Sequence, residues 1–202
     1  MPWEQSKSAK RRFNLGEFHT RYFVGNGIDI GGKPDPLGQY AQIFSKMSSA
    51  RTWDIEDGDA QYMESVEDNT YDFVHSSHCL EHMNDPVTAF KNWIRILKPG
   101  GHIIATVPDE DLYELGVFPS KFNPDHKWTM TIYKKSSWSP KSINLAQMLQ
   151  DFSDHIKIIK IELIEEFYRP ALVDRGIDQT ATPVAECCIE FICRKLNPES
   201  FI

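Results

Sequence analysis

Several features are scarce or missing in this sequence of 202 residues. It has no apolar run long enough to span a bilayer and no apolar signal-peptide core, so we expect no membrane partner. Basic residues are outnumbered by acidic ones, 22 to 29, and the net charge of −7 argues against nucleic-acid binding. Only four cysteines occur, and none forms a Cys-x-x-Cys pair. We therefore expect reduced thiols, no metal site and a cytoplasmic location.

Motifs of several enzyme classes are also missing. The sequence contains no Gly-x-Ser-x-Gly nucleophile turn and no phosphate-binding P-loop. Residues 31–34 read Gly-Gly-Lys-Pro, which does not supply the Gly-x-Gly-x-x-Gly turn of a nicotinamide-dependent oxidoreductase. The hydrophobic content of 41% is enough for one globular core, so we expect a single domain.

The most informative stretch is residues 72–108, which reads as strand, polar turn, helix and strand. Asp85 and Pro86 predict the start of the helix, because Asp caps a helix and Pro suits its first turn. Lys98 is predicted in the last turn, and Pro-Gly-Gly at 99–101 predicts the end. The apolar face of the helix is predicted at Val87, Phe90, Ile94 and Leu97. A strand–helix–strand unit of this length is a βαβ crossover and predicts a parallel sheet.

Polar residues follow the first strand of this unit. They are His75, Ser76, Ser77, His78 and His82. In open α/β sheets, ligands bind beyond the carboxyl ends of the strands. Three histidines and two serines at one strand end therefore predict a site, although each residue alone also fits a surface loop or a helix cap.

The segment 71–108 resembles the central part of class I S-adenosylmethionine-dependent methyltransferases of the type 11 family. The shared pattern is an Asp-led strand, a Ser/His turn, Leu-Glu-His, Asp-Pro, a helix, Leu-Lys-Pro-Gly-Gly and a strand, all in this order. The resemblance implies an α/β fold over residues 23–202, with a single Rossmann-like, doubly wound, mostly parallel sheet and a C-terminal antiparallel hairpin. It implies S-adenosyl-L-methionine as the cofactor.

The resemblance also assigns cofactor contacts. Residues 27–32 are similar to the first motif of the family, with Lys33 in place of its second glycine. Asp29 is expected to hold this turn or to reach the cofactor's ammonium group, and Asp54, with Glu56 as the second choice, to bind the ribose. The alternative for the acidic residues is a solvated loop. The predicted cofactor-binding residues are Asp29, Gly31, Gly32, Asp54, Asp59, Ala60, His75 and Ser76.

Residues 109–138 are predicted to form a lid or substrate loop, because long irregular segments rich in aromatic residues are usually functional. His126 is the favoured general base in this segment, and His78 and His82 are the other catalytic candidates. A packed structural loop is the alternative. The predicted substrate-binding residues are Tyr113, Lys121, Lys127 and Trp128.

Simple patterns predict the remaining elements. Residues 1–22 are a basic and aromatic arm or helix over the cleft, with a disordered tail as the alternative. A short helix is predicted at 40–47 and the second strand at 51–55. Residues 139–149 predict a helix that begins at Ser139 and Pro140. The C-terminal strands are predicted at 155–167 and 185–194, with a connecting loop that returns at most to the rim of the site.

The function implied by the resemblance is methyl transfer to a small-molecule or sugar-like acceptor, and the histidines favour O-methylation. The Asn/Asp-Pro-Pro-Tyr/Phe motif of base and amide nitrogen methyltransferases is absent from the sequence, so no DNA substrate is expected. The alternative is a noncatalytic relative that binds S-adenosylmethionine or a partner. Lys33 and the short spacing between Asp54 and Asp59 favour that alternative.

Overall fold

A six-stranded sheet in the order β2-β1-β3-β4-β8-β7 runs through the computed structural model, which describes residues 3–175 and 177–197. The strands are β1 (Gly25–Ile30), β2 (Met47–Trp53), β3 (Tyr71–Ser77), β4 (Leu97–Pro108), β5 (Thr129–Thr131), β6 (Ser142–Asn144), β7 (Ile156–Ile164) and β8 (Cys188–Lys195). Strands β1 to β4 are parallel, whereas β8 is antiparallel to β4 and to β7. The predicted parallel sheet and C-terminal hairpin are confirmed.

Apolar layers cover both faces of this sheet. The α-helices are α1 (Glu4–Phe13), α2 (Pro86–Ile96), α3 (Leu145–Gln150) and α4 (Pro170–Val173). One layer packs α2 and α3 against the sheet through residues such as Phe90 and Trp93. The other layer joins Phe18, Phe23 and Phe44 to the opposite face. Because burial of such large side chains is the main stabilising term in folding, both layers fix the doubly wound arrangement.

Helix α2 begins as the sequence predicts and ends earlier. The Asp85 side chain accepts hydrogen bonds from the N–H groups of Val87 and Thr88, and Pro86 is the first residue. The helix ends at Ile96, and β4 begins at Leu97, so the predicted stop at 99–101 falls inside that strand. Val87 is 46% exposed, and the buried face is centred instead on Trp93, whose indole buries more apolar area.

Two predicted helices are wrong. The structure has a 3₁₀ turn at Leu37–Tyr40 in place of a helix at 40–47, and β2 spans Met47–Trp53 rather than 51–55. In the segment 139–149 the helix starts only at Leu145. Residues 142–144 pair with β5 instead, and the Asn144 side chain caps the helix by accepting the N–H of Gln147. Pairing with a distant strand therefore outweighs the local Ser-Pro start signal.

The four cysteines are free and buried, as expected for reduced thiols. Burial raises the pKa of the Cys79 thiol above its ordinary value. No helix in the described ranges is long and apolar enough to cross a membrane.

The N-terminal segment forms helix α1 and is bound to β8 by charged groups. Arg12 is fully buried, and its Nη2 lies 2.7 Å from Oε2 of the fully buried Glu190. Arg11 pairs with Glu186 and Glu190. The basic residues of this segment therefore hold α1 on the sheet, a role that composition alone did not indicate.

Asp109 gives a prediction for the pH dependence of stability. It follows β4 and is fully buried, with Oδ1 accepting two backbone N–H groups and Oδ2 without a partner among the described residues. Burial raises the pKa of Asp109 to about 6. Because the folded state binds this proton more tightly than the unfolded chain, the group lowers stability as the pH rises from about 4 to above 6.

We expect Asp109→Asn to raise the free energy of unfolding at pH 8 by up to about 3 kcal/mol and to change it little at pH 4. Asparagine keeps an oxygen for the two backbone donors and carries no charge. Urea unfolding at both pH values measures the effect, with the exposed Asp154→Asn as the control. Destabilisation by Asp109→Asn at pH 8 would contradict this interpretation.

Candidate active site

Two adjoining cavities open at the carboxyl ends of β1, β2 and β3. The strand order reverses between β1 and β3, which is where ligands bind in open α/β sheets. The larger cavity has a volume of about 900 Å³ and the smaller one about 420 Å³. Gly31, Lys33 and His78 line both, so these residues mark the junction.

The acidic turn after β2 forms the rim of the larger cavity. Asp54, Asp59 and Ala60 line this cavity, and their role as cofactor-binding residues stays a prediction. Oδ2 of Asp54 accepts the N–H of Lys33 at 3.0 Å, which ties the rim to the glycine turn. The Lys33 ammonium group lies 2.8 Å from the exposed carboxylate of Glu56. That pairing directs the lysine toward the exposed rim.

Asp29 holds the glycine turn from below. It is buried, its Oδ2 accepts the N–H of Leu37 at 2.6 Å, and its Oδ1 lies 2.6 Å from Nδ1 of His75. Gly31 has a φ of +73°, which favours glycine. A Cβ at Gly32 would lie 2.4 Å from Oδ2 of Asp29. The turn thus needs glycine at both positions. Asp29 also lines the smaller cavity, so its expected contact with the cofactor stays a prediction.

His75 and Ser76 make hydrogen bonds to β1 just before the glycine turn, with Asp29 and with the Ile30 carbonyl oxygen. Within the described part of the chain, neither residue lines either cavity. The His75 ring is fully buried, with Nε2 accepting from the Arg12 guanidinium at 3.1 Å. Burial lowers the pKa of His75, so the ring is neutral and donates from Nδ1 to Asp29. The predicted direct cofactor contacts of His75 and Ser76 therefore do not match their positions.

The smaller cavity has one wall from the start of α1 and one from the loop after α4. Glu4 comes from α1, and Asp178 and Thr180 come from that loop. Nζ of Lys7 lies 2.7 Å from both a Glu4 carboxylate oxygen and the Thr180 carbonyl oxygen, and it joins the two walls. The predicted arm over the cleft is thus a helix whose first turn faces this cavity.

A group of histidines surrounds the buried carboxylate of Glu81. Nε2 of His82 lies 3.8 Å and Nε2 of His126 lies 3.7 Å from Oε1 of Glu81. His78 Nδ1 is 3.9 Å from the same oxygen. Burial by itself lowers the pKa of His126, but a 2.6 Å hydrogen bond with Glu114 and the nearby carboxylate charges raise it above the ordinary value.

The predicted substrate-binding residues separate into two pairs. Tyr113 lines the smaller cavity and Lys127 lines the larger one. Lys121 and Trp128 line neither cavity in the ranges that the structure describes. Lys121 lies over the ring of the neighbouring phenylalanine, and the Trp128 indole donates to a backbone carbonyl group. The first pair therefore remains as substrate-binding candidates.

Sequence reasoning missed two buried carboxylates in this region. Glu81 is part of the Leu-Glu-His pattern, so a signal for it was present, but only the histidine was selected. Glu114 has no local signal, because it lies in a turn-rich segment twelve residues before its partner His126. Its role depends on how the segment 109–138 folds.

The model of the methyltransferase domain family matches residues 15–166 of this chain. The chain belongs to this family. An uncharacterized methyltransferase of Schizosaccharomyces pombe is 36% identical over 58 residues, 29% of this chain and 20% of that protein. The match therefore spans about a fifth of the relative's length.

Solved structures give the same fold for the methyltransferase domain. A SAM-dependent methyltransferase from Archaeoglobus fulgidus has a TM-score of 0.57 and 18% identity over 95% of this chain and 93% of that one. Phosphoethanolamine N-methyltransferase 2 of Haemonchus contortus, in complex with S-adenosyl-L-methionine, has a TM-score of 0.56 and 16% identity, over 96% of this chain and 53% of that one. The class I S-adenosylmethionine-dependent methyltransferase fold is confirmed, and the type 11 assignment stays a prediction.

Proposed function

We propose that this methyltransferase transfers a methyl group from S-adenosylmethionine to a hydroxyl group of a small, sugar-like acceptor. The observation that supports this proposal is the pair of adjoining cavities that share Gly31, Lys33 and His78, the larger one beside the acidic rim and each lined by two histidines. S-adenosylmethionine supplies an electrophilic methyl group with a neutral sulfur leaving group. The protein's task is then to align the acceptor, exclude water and accept a proton.

The residues beside the larger cavity fit this cofactor. Gly31 lines this cavity and the smaller one, and Gly32 lines the smaller one, so the glycine turn lies where the two cavities meet. The carboxylates of Asp54 and Asp59 on the rim are acceptors for hydroxyl and amino groups. Together these groups would hold the amino-acid end and the nucleoside end of the cofactor.

The residues of the smaller cavity fit a neutral, hydroxyl-rich acceptor. Glu4 and Asp178 provide carboxylates that accept hydrogen bonds from hydroxyl groups. Trp3 and Tyr113 provide aromatic surface, which covers the apolar faces of a sugar-like ring. His78 at the junction is placed to take the hydroxyl proton, and burial lowers its pKa well below the ordinary value, so it is neutral.

The first test is calorimetric titration of the purified protein with S-adenosylhomocysteine, with NADH as the control ligand. We expect binding of the former alone. Labelled S-adenosylmethionine is then offered with panels of nucleotide sugars, polyols, phenols and amines. Transfer to amines only would contradict O-methylation, and no binding of S-adenosylhomocysteine would overturn the whole proposal.

Gly32→Ala is expected to weaken S-adenosylhomocysteine binding by about 10–100-fold. The added methyl group would lie 2.4 Å from Oδ2 of Asp29, which cannot move without losing the Leu37 N–H. The overpacked turn must shift its backbone beside the cofactor, and a 10–100-fold loss of affinity corresponds to about 1.4–2.8 kcal/mol of binding free energy. Gly16→Ala is the matched control, because no atom lies within 4 Å of its Cβ in the described structure. Equal affinities of the two variants would contradict the assignment of the turn.

A further inference from the structure

Three potential metal ligands converge between the two cavities. They are Oε1 of Glu81, Nε2 of His82 and Nε2 of His126, and all three atoms lie within 4.8 Å of one another. The side chains of Glu81 and His126 are 0% and 1% exposed, and that of His82 is 28% exposed. Two imidazoles and one carboxylate are a common ligand set for divalent transition metals.

The Glu81 carboxylate is buried without a hydrogen bond in the described residues, and histidine rings face it at 3.7 to 3.9 Å. It is fully buried, and neither of its oxygens has a hydrogen-bond partner among residues 3–175 and 177–197. An isolated buried carboxylate is strongly unfavourable, so such groups are paired, protonated or bound to a metal ion. The nearest ring nitrogens, at 3.7 and 3.8 Å, are too far away for hydrogen bonds. A small cation between them would satisfy all three groups.

Both histidines are oriented as metal ligands usually are. Nδ1 of His82 lies 3.1 Å from the carbonyl oxygen of Asp125. Because a carbonyl oxygen only accepts, Nδ1 carries the hydrogen, and the lone pair of the neutral ring is on Nε2. Nδ1 of His126 lies 2.6 Å from a Glu114 carboxylate oxygen in the same way. Metal-binding histidines typically donate their other N–H to a carbonyl or carboxylate group.

We propose that Glu81, His82 and His126 bind one divalent transition-metal ion, such as Zn²⁺, between the two cavities. Metal–ligand bonds of about 2.0–2.2 Å place tetrahedral ligand atoms roughly 3.4 Å apart. The two distances from Glu81, 3.7 and 3.8 Å, differ from that spacing by only a few tenths of an ångström, and the two histidine nitrogens lie within 4.8 Å of each other. Glu81 and His82 are adjacent, but His126 is distant in the sequence and none of the ligands is a cysteine, which is why the sequence predicted no metal site.

The position of the cluster leaves room for a further ligand. His82 lines the larger cavity and His126 the smaller one. Three protein ligands leave at least one coordination position open, as in catalytic rather than structural zinc sites. An acceptor oxygen could occupy that position, and this last step rests on the proposed function, whereas metal binding itself does not.

The test uses untagged, full-length protein freed of metal by a chelator and titrated with Co²⁺ alone, followed by visible absorption and calorimetry. We expect one ion per chain and d–d absorption bands. Glu81→Gln and His82→Ala should each lower the affinity by more than about 100-fold. Glu114→Gln, which removes only an outer partner, should lower it by about 10–100-fold. The exposed His155→Ala should not change it.

Circular dichroism and thermal unfolding identify any variant that fails to fold, and the partly exposed His82→Ala is the safest of the set. No Co²⁺ binding by the wild-type protein, or equal binding by wild type and His82→Ala, would overturn the metal site. S-adenosylhomocysteine titration of the same samples separates the two proposals. Binding of that ligand without Co²⁺ binding would refute the metal site alone.

Discussion

Glu190→Gln is expected to destabilise the protein by about 3–5 kcal/mol. Glu190 is fully buried in β8, where its Oε2 lies 2.7 Å from Nη2 of the equally buried Arg12 and 3.0 Å from Nη2 of Arg11. Removing one partner of a buried ion pair leaves the other charge without compensation, and this causes the loss. Burial favours the protonated form, but Arg12 and Arg11 hold the pKa of Glu190 well below its ordinary range.

The ion pair of Glu190 and Arg12 also predicts how the stability of the protein depends on pH. Because the pKa of Glu190 is lower in the folded state than in the unfolded chain, its stabilisation is present above about pH 4.3 and is lost as the pH falls further. In Glu190→Gln, the free energy of unfolding should therefore fall less between neutral and acidic pH than in the wild-type protein. Urea unfolding at neutral and acidic pH measures both effects. The control is the exposed Glu64→Gln, for which we expect a change within about 0.5 kcal/mol.

Equal destabilisation by the two variants would show that the buried pair has no special role. If the pair acts as proposed, the loss is concentrated where α1 meets β8. Limited proteolysis should then cleave residues 3–13 faster in Glu190→Gln than in the wild-type protein. Because Glu4 lines the smaller cavity, the ion pair also positions part of the proposed acceptor site.

Local signals in the sequence predicted much of the fold. Asp85 and Pro86 mark the start of α2 because capping depends only on neighbouring residues. The strand–helix–strand spacing in residues 72–108 predicted the parallel sheet, because such a crossover joins parallel strands. The helix predicted at 139–149 was wrong at its start because pairing between β5 and β6 is a long-range interaction. The Ser-Pro pair is a local motif and contains no information about pairing with a distant strand.

The site was predictable in part. The glycine turn and the acidic rim follow strand ends, so their positions could be inferred from the sequence. His75 also lies near a strand end, but side chains alternate between the two faces of a strand. That alternation places the His75 ring beneath α1, between Asp29 and Arg12, rather than in a cavity. The partners of Glu190 and the walls of the smaller cavity come from both ends of the chain, and local patterns do not contain this information.

His78→Asn is expected to lower methyl transfer by about 10²–10⁴-fold, the usual contribution of a general base, and to leave S-adenosylhomocysteine binding unchanged. His78 lines both cavities, and its ring nitrogens have no hydrogen-bond partner in the ranges that the structure describes. Its backbone has a φ of 53°. Asparagine tolerates this left-handed conformation better than most residues, so the substitution removes the base with little change in the turn.

The environment of His78 explains why its neutral ring can accept a proton during the reaction. Its Nε2 lies 3.9 Å from a carboxylate oxygen of Glu4. This negative charge favours the imidazolium that forms when the acceptor hydroxyl loses its proton, whereas burial and the neighbouring positive charges keep the resting ring neutral. The exposed His155→Asn is the matched control in the transfer assay. Unchanged transfer by His78→Asn would remove His78 from the mechanism, and a loss in His126→Gln alone, with the Co²⁺ affinity retained, would assign the base to His126.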